Sequence, residues 1–300
     1  MASRYDTSID LSNKNNSHTQ IVELVGRGKR VLDVGASTGF LARVLAGRGC
    51  SITGIEIDPD AAGQAAEVCD RVIVGDVEEL DLAGELGGET FDVVVFGDVL
   101  EHLKEPREAL ERFKPLLAPG GHVVASIPNI AHGSVRLALL QGNFEYRPLG
   151  LLDSTHLTFF TRETVEEMFG DAGFLISEVR RTRQDVFNTE VEVDRSAIPE
   201  EVVRLVRSDP EAFTYQFVLK AHLLGDPVTT EKLVYDLTRK LRTIDDLRRL
   251  LGARDLQLAE REREVERLAR EVSNLNDRLA RLVQQGKADA NADANGIEDA

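Results

Sequence analysis

Residues 30–40 read R-V-L-D-V-G-A-S-T-G-F, a short apolar run that leads into a turn containing two glycines. Such a run is typical of a buried parallel strand, and a helix is expected to begin directly after it. Asp33 stands at the end of the strand, Gly35 permits a tight turn, and Gly39 opens the helix. A turn of this kind lets backbone N–H groups approach a ligand closely. The stretch therefore predicts an α/β domain that binds a ligand at the end of its first strand.

Apolar strand-like runs and helical runs alternate onward from this turn. Their alternation predicts a doubly wound α/β fold, in which helices cover both faces of a parallel sheet. Strands are expected at residues 30–34, 51–57, 71–74, 91–96, 122–127, 174–181 and 214–223. Helices are expected at residues 18–28, 39–46, 59–68, 77–82, 106–117 and 161–170.

Changes in composition divide the chain into parts of different character. Residues 1–28 are expected to end in a lead-in helix, and residues 29–225 to form the α/β domain. Within that domain, segments 128–160 and 184–212 break the alternation, so we interpret them as insertions that cap one end of the sheet. Residues 286–300 are acidic and of low complexity, which predicts a disordered tail.

A heptad repeat runs through residues 229–285 and predicts a helical coiled coil. Val265 and Val272 at one core position, with Leu268 and Leu275 at the other, favour two strands. We expect a homodimer through this segment. A different coiled-coil protein as partner is one alternative, and an amphipathic helix packed on its own domain is another. The repeating apolar positions are Leu237, Ile244, Leu251, Leu258, Val265, Val272 and Leu279.

The overall charge restricts the partners. The formal net charge is −16, with a pI near 4.9, and a negative field of this size repels nucleic acid and anionic membrane surfaces. The basic cluster Arg180, Arg181 and Arg183 is interpreted as a solvated strand end. Two cysteines are too few for a disulfide framework. With neither an apolar leader nor a membrane-length apolar run in the sequence, we expect a cytoplasmic protein that does not insert into membranes.

The glycine pattern of the first turn distinguishes two nucleotide-binding families. A dinucleotide fingerprint would need glycines at positions 35, 37 and 40, where this chain has Gly35, Ser37 and Phe40. The pattern D-x-G-x-x-T-G over residues 33–39 instead resembles the first motif of class I S-adenosylmethionine-dependent methyltransferases, with Ser37 in place of the middle glycine. The resemblance implies a Rossmann-like methyltransferase sheet and S-adenosylmethionine as the cofactor.

Further marks of that family follow at the ends of later strands. Glu56 ends the second strand, where the resemblance implies a carboxylate that accepts the ribose hydroxyls. Asp76 ends the third strand and matches the acid that accepts the adenine amino group. The fourth strand leads into the loop F-D-V-V-V-F-G-D-V-L-E-H-L, which carries Asp98, and a P-G-G turn follows. Any such acid can instead cap the next helix, as we expect for Asp58. The expected cofactor-binding residues are Asp33, Gly35, Ser37, Gly39, Glu56, Asp76 and Asp98.

The segments that are expected to contact the methyl acceptor are compatible with three functions. Segment 126–161 resembles methyltransferases associated with polysaccharide and glycan synthesis, which implies O-methylation of a sugar or glycan hydroxyl. The D-V-L-E-H-L loop is also similar to ubiquinone-type O-methyltransferases, so a small-molecule acceptor, a quinone-like or natural-product hydroxyl, is the alternative. A non-catalytic scaffold with a coiled coil is a third possibility, against which the intact acids Glu56 and Asp76 argue.

Two histidines are candidates for the base that deprotonates a hydroxyl. His156 follows Asp153 in a D-x-x-H pattern, and a carboxylate there could hold the imidazole in the productive tautomer. His102 follows the fourth strand, on the expected acceptor side. The competing interpretation is a cap or backbone contact for each histidine. Asn129 and His132 are weaker candidates, and because Asp153, His156 and His132 lack a metal-binding spacing we expect no metal.

Overall fold

The computed structural model describes residues 9–225, 266–279 and 281. Its contacts divide the chain into two units, Met1–His222 and Leu223–Ala300, which are described separately. The first unit contains a seven-stranded sheet in the order β3-β2-β1-β4-β5-β7-β6. The strands are β1 (Arg30–Val34), β2 (Ser51–Glu56), β3 (Arg71–Val74), β4 (Phe91–Gly97), β5 (Leu117–Pro128), β6 (Phe174–Arg183) and β7 (Thr214–Leu223).

The α/β order that the sequence predicts is confirmed, but the sheet is mixed rather than fully parallel. Strands β1 to β5 pair in parallel, whereas β7 pairs antiparallel with β5. The α-helices of this unit are α1 (Ser17–Val25), α2 (Phe40–Ala46), α3 (Pro59–Ala65), α4 (Leu82–Leu86), α5 (Pro106–Phe113), α6 (Gly133–Leu140), α7 (Arg162–Asp171) and α8 (Glu200–Arg207). The helix predicted at residues 77–82 is wrong, because residues 77–80 form turns and α4 begins at Leu82.

Acid side chains explain this shift in the fourth helix. Asp76 accepts a hydrogen bond from the backbone N–H of Glu78, and Asp81 accepts one from Gly84 as the N-cap of α4. Side-chain bonds of this kind offer the backbone an alternative to helix, so they delay its start. Asp58 caps α3 in the same way, as expected from its position before Pro59.

A charged cluster joins β6, β7 and α7. Glu211, just before β7, contacts Arg181 at 2.6 Å, Arg162 at 3.1 Å and the hydroxyl of Thr214 at 2.6 Å. Burial opposes the charge on Glu211, but the hydrogen bonds from Arg181, Thr214 and Arg162 outweigh it and lower its pKa to about 2. Folding therefore favours the charged carboxylate.

We expect Glu211 to make the fold sensitive to acid. Its pKa is about 2 in the folded chain and near 4.5 when unperturbed, so its stabilisation is complete above pH 4.5 and is lost as pH falls toward 2. Glu211→Gln should remove roughly 1–2 kcal/mol at neutral pH and flatten this part of the pH dependence. Urea unfolding across this pH range measures the effect. Glu192→Gln, at an 83% exposed side chain paired with Arg147, is the control, and equal losses in the two variants would contradict the assignment.

The second unit contributes a single described helix over residues 266–279. Val272 is buried there, and Leu268, Leu275 and Leu279 pack against it. The remainder of the predicted coiled coil at 229–285, and the predicted tail at 286–300, lie outside the described residues, so both stay predictions. No helix among the described residues has the length and apolar content needed to cross a membrane.

Candidate active site

The site lies where the order of strands reverses. Chain order runs from β1 through β2 to β3 in one direction and from β4 to β5 in the other, with β1 and β4 adjacent. Crevices at the carboxyl ends of such neighbouring strands are the usual ligand sites of open α/β sheets. The two strand ends approach closely, because a Cβ added to Gly35 after β1 would lie 2.6 Å from Cγ2 of Val99 after β4.

The turn after β1 has the conformation that its glycines predict. Gly35 and Gly39 have φ values of +73° and +77°, and Ser37 between them has φ +48°. The N–H groups of Gly35 and Ala36 donate to the carbonyl of Ile55 in β2, at 2.8 and 3.0 Å. Ser37 therefore occupies a left-handed position that favours glycine.

Gly39 is expected to tolerate no side chain. An added Cβ would meet Val68 Cγ2 at 2.6 Å and the backbone of Ala65 at 3.0 Å, and the positive φ adds strain. Gly39→Ala should therefore lower the free energy of unfolding by ~2–4 kcal/mol. Gly49→Ala is the matched control, since Gly49 has φ +78° but nothing within 4 Å of its added Cβ. Chemical denaturation measures the free energy of unfolding of both variants, and the difference between their losses is the steric contribution at Gly39. Similar losses in the two variants would show that the strain of a positive φ alone accounts for the effect.

Glu56 holds the turn against β2. Its side chain is buried, and its two oxygens accept hydrogen bonds from the N–H groups of Ser37 at 2.7 Å and Asp58 at 2.9 Å. Carboxylate oxygens have further lone pairs available for a ligand hydroxyl. The residue therefore both shapes the turn and stands where the sequence places a ribose contact.

Asp33, near the end of β1, is buried. Only 2% of its surface is exposed, and its Oδ2 has no hydrogen-bond partner among the described residues. Burial and the nearby charge of Glu56 raise the pKa of Asp33 to about 7. A carboxyl so enclosed offers a ligand little surface, so its expected cofactor contact remains a prediction with little geometric support.

The remaining expected cofactor residues follow the ends of β3 and β4. Asp76 is half-buried after β3. Asp98, after β4, has φ +54°, and its Oδ1 accepts hydrogen bonds from Ser126 Oγ at 2.7 Å and Gln216 Nε2 at 2.9 Å. Burial lowers the pKa of His18 of α1, and the charge of Asp98 opposes that effect. Sequence reasoning missed His18 and Gln216, which come from distant segments of the chain.

Segment 155–158 brings the acceptor side onto the loop after β4. The backbone N–H groups of Leu157 and Thr158 donate to the carbonyl oxygen of Glu101, at 2.8 and 3.1 Å. The imidazoles of His102 and His156 are consequently neighbours, with ring centroids 4.8 Å apart. The two histidines singled out from the sequence thus meet, although 54 positions separate them in the sequence.

Glu101 is a site residue that sequence reasoning missed. Its side chain is buried, and neither carboxyl oxygen has a hydrogen-bond partner within the described part of the chain. Burial, followed by the charges of Asp98 and Asp153, raises the pKa of Glu101 well above its ordinary value. The only sequence signal was its place before His102 in the E-H dipeptide.

The same three side chains could hold a metal ion. Glu101, His102 and His156 each offer one ligand atom, and these atoms lie within 4.8 Å of one another. Two imidazoles and a carboxylate suit first-row divalent metals. This grouping differs from the Asp153, His156 and His132 set weighed from the sequence.

Asp153 lies near His156 in the chain, and one of its side-chain oxygens is linked to His102 through Thr155. Its Oδ1 accepts hydrogen bonds from N and Oγ1 of Thr155 at 2.8 and 2.7 Å, and Thr155 Oγ1 lies 3.1 Å from Nδ1 of His102. It acts on His156 through its charge. Burial and His102 lower the pKa of His156, whereas Asp153 and the Leu151 backbone raise it, and the net direction is downward.

The weaker candidates have structural roles. His132 is buried, caps α6 by accepting from Ser134, and lies 3.2 Å from the carbonyl of Gln184. Asn129 is also buried and donates to the carbonyl of Thr214 at 2.8 Å. Both side chains are engaged in holding the insertion.

The chain matches known proteins over this same region. A family model described as "Methyltransferase domain" matches residues 16–179, which is more than half of the 300-residue chain. A protein named ubiquinone biosynthesis O-methyltransferase from Psychrobacter arcticus is 33% identical over 175 residues, covering 56% of this chain and 65% of the relative. One of the same name from Alkalilimnicola ehrlichii is 36% identical over 125 residues, covering 39% and 49%.

These matches cover only part of each relative, since the chain spans less than two thirds of the length of either protein. Among solved structures, a SAM-dependent methyltransferase from Archaeoglobus fulgidus superposes with a TM-score of 0.50 and 17% identity, covering 71% of this chain and 94% of the other. At that identity the likeness establishes the fold alone. Neither curated relative bears a name that refers to a glycan.

Proposed function

This chain belongs to the methyltransferase-domain family, and from that premise we propose that it transfers a methyl group from S-adenosylmethionine to a hydroxyl of a small-molecule acceptor. One observation carries the proposal. The turn held by Glu56 and the imidazole pair His102–His156 lie at the carboxyl ends of adjacent strands, β1 and β4. We propose that the first of these is the donor site and the second the proton-accepting site.

The residues around the turn fit this cofactor. S-adenosylmethionine carries ribose hydroxyls, amino groups and no phosphate, so it needs hydrogen-bond acceptors at the strand ends rather than a phosphate-binding lysine. Glu56 and Asp76 would hold the adenosine half, and Asp98 with His18 would border the other half. When bound, the cofactor supplies a methyl group activated by its sulfonium.

The protein's part in the chemistry is to position the acceptor and take up its proton. An alcohol or phenol attacks better as its proton leaves, and a base within hydrogen-bond reach assists this. His156 is neutral at neutral pH because its pKa is lowered, so it can accept that proton. The charge of Asp153 then stabilises the imidazolium.

The names of the relatives favour the small-molecule acceptor over the glycan acceptor that we expected from segment 126–161. Both curated proteins described above are named for ubiquinone biosynthesis, which is consistent with a quinone-like hydroxyl. A sugar or glycan hydroxyl is therefore kept only as the second acceptor class that the turnover assay examines.

Calorimetry followed by a turnover assay tests the proposal. We expect S-adenosylmethionine to bind, and S-adenosylhomocysteine to form only when a hydroxylated acceptor is added. Catechols, hydroquinones and simple glycosides serve as the acceptor panel. Binding without turnover on any acceptor would favour the scaffold alternative, and absence of binding would contradict the cofactor assignment.

We also propose that residues 229–285 join two copies of the chain. Val272 is buried in its helix with Leu268 and Leu275, as a core position of a coiled coil would be. Val272→Asp should convert a sedimenting dimer into a monomer, because a charge is poorly tolerated in an apolar seam. Arg270→Ala, at a 75% exposed side chain, is the control and should leave the dimer intact. A monomeric full chain would refute the homodimer.

A further inference from the structure

We infer that Glu190 is a positioning residue for the imidazole of His156. Glu190 lies in the second insertion, segment 184–212, and its side chain binds the backbone N–H of Leu151, shortly before the histidine in the chain. The inference rests on the proposed function and concerns how the chain places the proposed base.

Glu190 joins the first insertion to the sheet. Its Oε1 accepts a hydrogen bond from the N–H of Leu151 at 2.5 Å, and its Oε2 accepts one from the hydroxyl of Tyr215 in β7 at 2.9 Å. Burial and the nearby charge of Glu190 raise the pKa of Tyr215 above its ordinary value, so the phenol keeps the proton that it donates. Both carboxylate oxygens therefore have a donor, and charge-assisted bonds of this kind are stronger than neutral ones.

Gly150 makes room for this carboxylate. A Cβ added at Gly150 would overlap Oε1 and Cδ of Glu190, and the φ of Gly150 is +100°. Val191, which follows Glu190, is buried in one apolar cluster with Leu151 and Leu152. The position of Glu190 against the backbone at Leu151 is therefore fixed by packing as well as by hydrogen bonds.

Two consecutive turns carry this position to His156. The N–H of Asp153 donates to the carbonyl of Gly150 at 3.2 Å, and the N–H of His156 donates to the carbonyl of Asp153 at 3.1 Å. Turns closed by such bonds restrict the backbone between their ends. A displacement of Leu151 is therefore expected to displace the imidazole of His156 as well.

Leu151 also acts on the imidazole directly. Its backbone raises the pKa of His156, although burial and His102 bring the net direction downward. Because an imidazolium can only donate hydrogen bonds, this effect comes from the carbonyl oxygen of Leu151. A carbonyl beside one ring nitrogen favours the tautomer that carries the proton there, which leaves the other nitrogen to accept one. Glu190 therefore bears on both the orientation and the tautomer of His156 through a single residue.

Glu190→Ala in the full chain should lower kcat by about 10- to 100-fold and leave the Kd for S-adenosylhomocysteine unchanged. The assay uses the acceptor of the catechol, hydroquinone and glycoside panel that gives the highest turnover, and calorimetry measures the Kd. Glu190→Gln keeps an oxygen that can accept from the N–H of Leu151 and should restore kcat to within about threefold of the unchanged protein. Glu192→Ala removes an 83% exposed carboxylate from the same segment and should have no effect.

Gly150→Ala reaches the same contact by a second route. Its added methyl group should push the carboxylate of Glu190 away from Leu151 and lower kcat as Glu190→Ala does. Gly142→Ala is the matched control, since Gly142 has φ +76° but nothing within 4 Å of its added Cβ. Combining Gly150→Ala with Glu190→Ala should cost little more than Glu190→Ala alone, because both changes break the same contact. Fully additive losses would overturn the inference.

NMR of the ring nitrogens in histidine-labelled protein tests the placement without turnover. The signals of His156, assigned with His156→Gln, should show one predominant tautomer in the unchanged protein and a mixture in Glu190→Ala. Unaltered signals and kcat in Glu190→Ala would overturn the inference. So would a parallel loss of affinity for S-adenosylhomocysteine, which a purely structural brace predicts. Signals that change in Glu190→Ala while no variant methylates any acceptor would instead overturn the proposed function alone.

Discussion

Replacing His156 with alanine is expected to lower kcat by about 100- to 1,000-fold while leaving the affinity for S-adenosylmethionine unchanged. The reason is that His156 contacts His102 of the loop after β4, whereas the turn expected to bind the cofactor is held by Glu56. Loss of a base slows the transfer step but removes no contact to the cofactor. Stopped-time methylation assays with matched calorimetry separate the two quantities.

The pH dependence of kcat/KM distinguishes a catalytic histidine from a purely structural one, since a structural histidine would not change it. Because burial and His102 lower the pKa of His156, the acid limb of kcat/KM should lie below 6.5, the ordinary value for histidine. That limb should disappear in His156→Gln. Repeating the assay with EDTA and then with added Mn²⁺ distinguishes a base from a metal ligand. An unaltered rate in His156→Ala would refute both roles.

Replacing Glu56 with alanine is expected to weaken S-adenosylmethionine binding by about 10- to 100-fold, or ~1–3 kcal/mol. Two effects add here, namely the loss of an acceptor for ligand hydroxyls and the loss of the bond that holds Ser37. Calorimetry measures the affinity, and circular dichroism establishes that the fold is intact.

A graded substitution separates the two effects of Glu56. Glu56→Gln keeps an oxygen that can accept from Ser37 N, so it should retain the turn and lose only the charge-assisted part of the binding. Asp58→Asn keeps the cap of α3 and should bind normally. Unchanged affinity in a folded Glu56→Ala protein would contradict the assignment of this residue to the cofactor.

The features that the sequence predicted well are local ones. Strand β1 and its turn follow from an apolar run and two glycines, and the structure shows the expected positive φ at Gly35 and Gly39. Strand β7 was predicted with the bounds that the structure shows, but its antiparallel direction was not, because that direction depends on pairing with β5, which is distant in the sequence. The start of α4 was misplaced because Asp76 and Asp81 compete for backbone N–H groups.

Within the candidate site, the sequence predicted only residues with reactive side chains near the end of a strand. His102 and His156 were found as titratable side chains on the acceptor side, but their proximity arises from backbone bonds between segment 155–158 and Glu101. Glu101 itself was missed, because its isolation from hydrogen-bond partners is a property of packing.

The bonds from Leu157 and Thr158 to the Glu101 carbonyl join main chain to main chain. Such bonds are indifferent to the side chains of the residues that make them. The placement of His156 beside His102 is therefore expected to withstand substitutions of the side chains of Leu157 and Thr158.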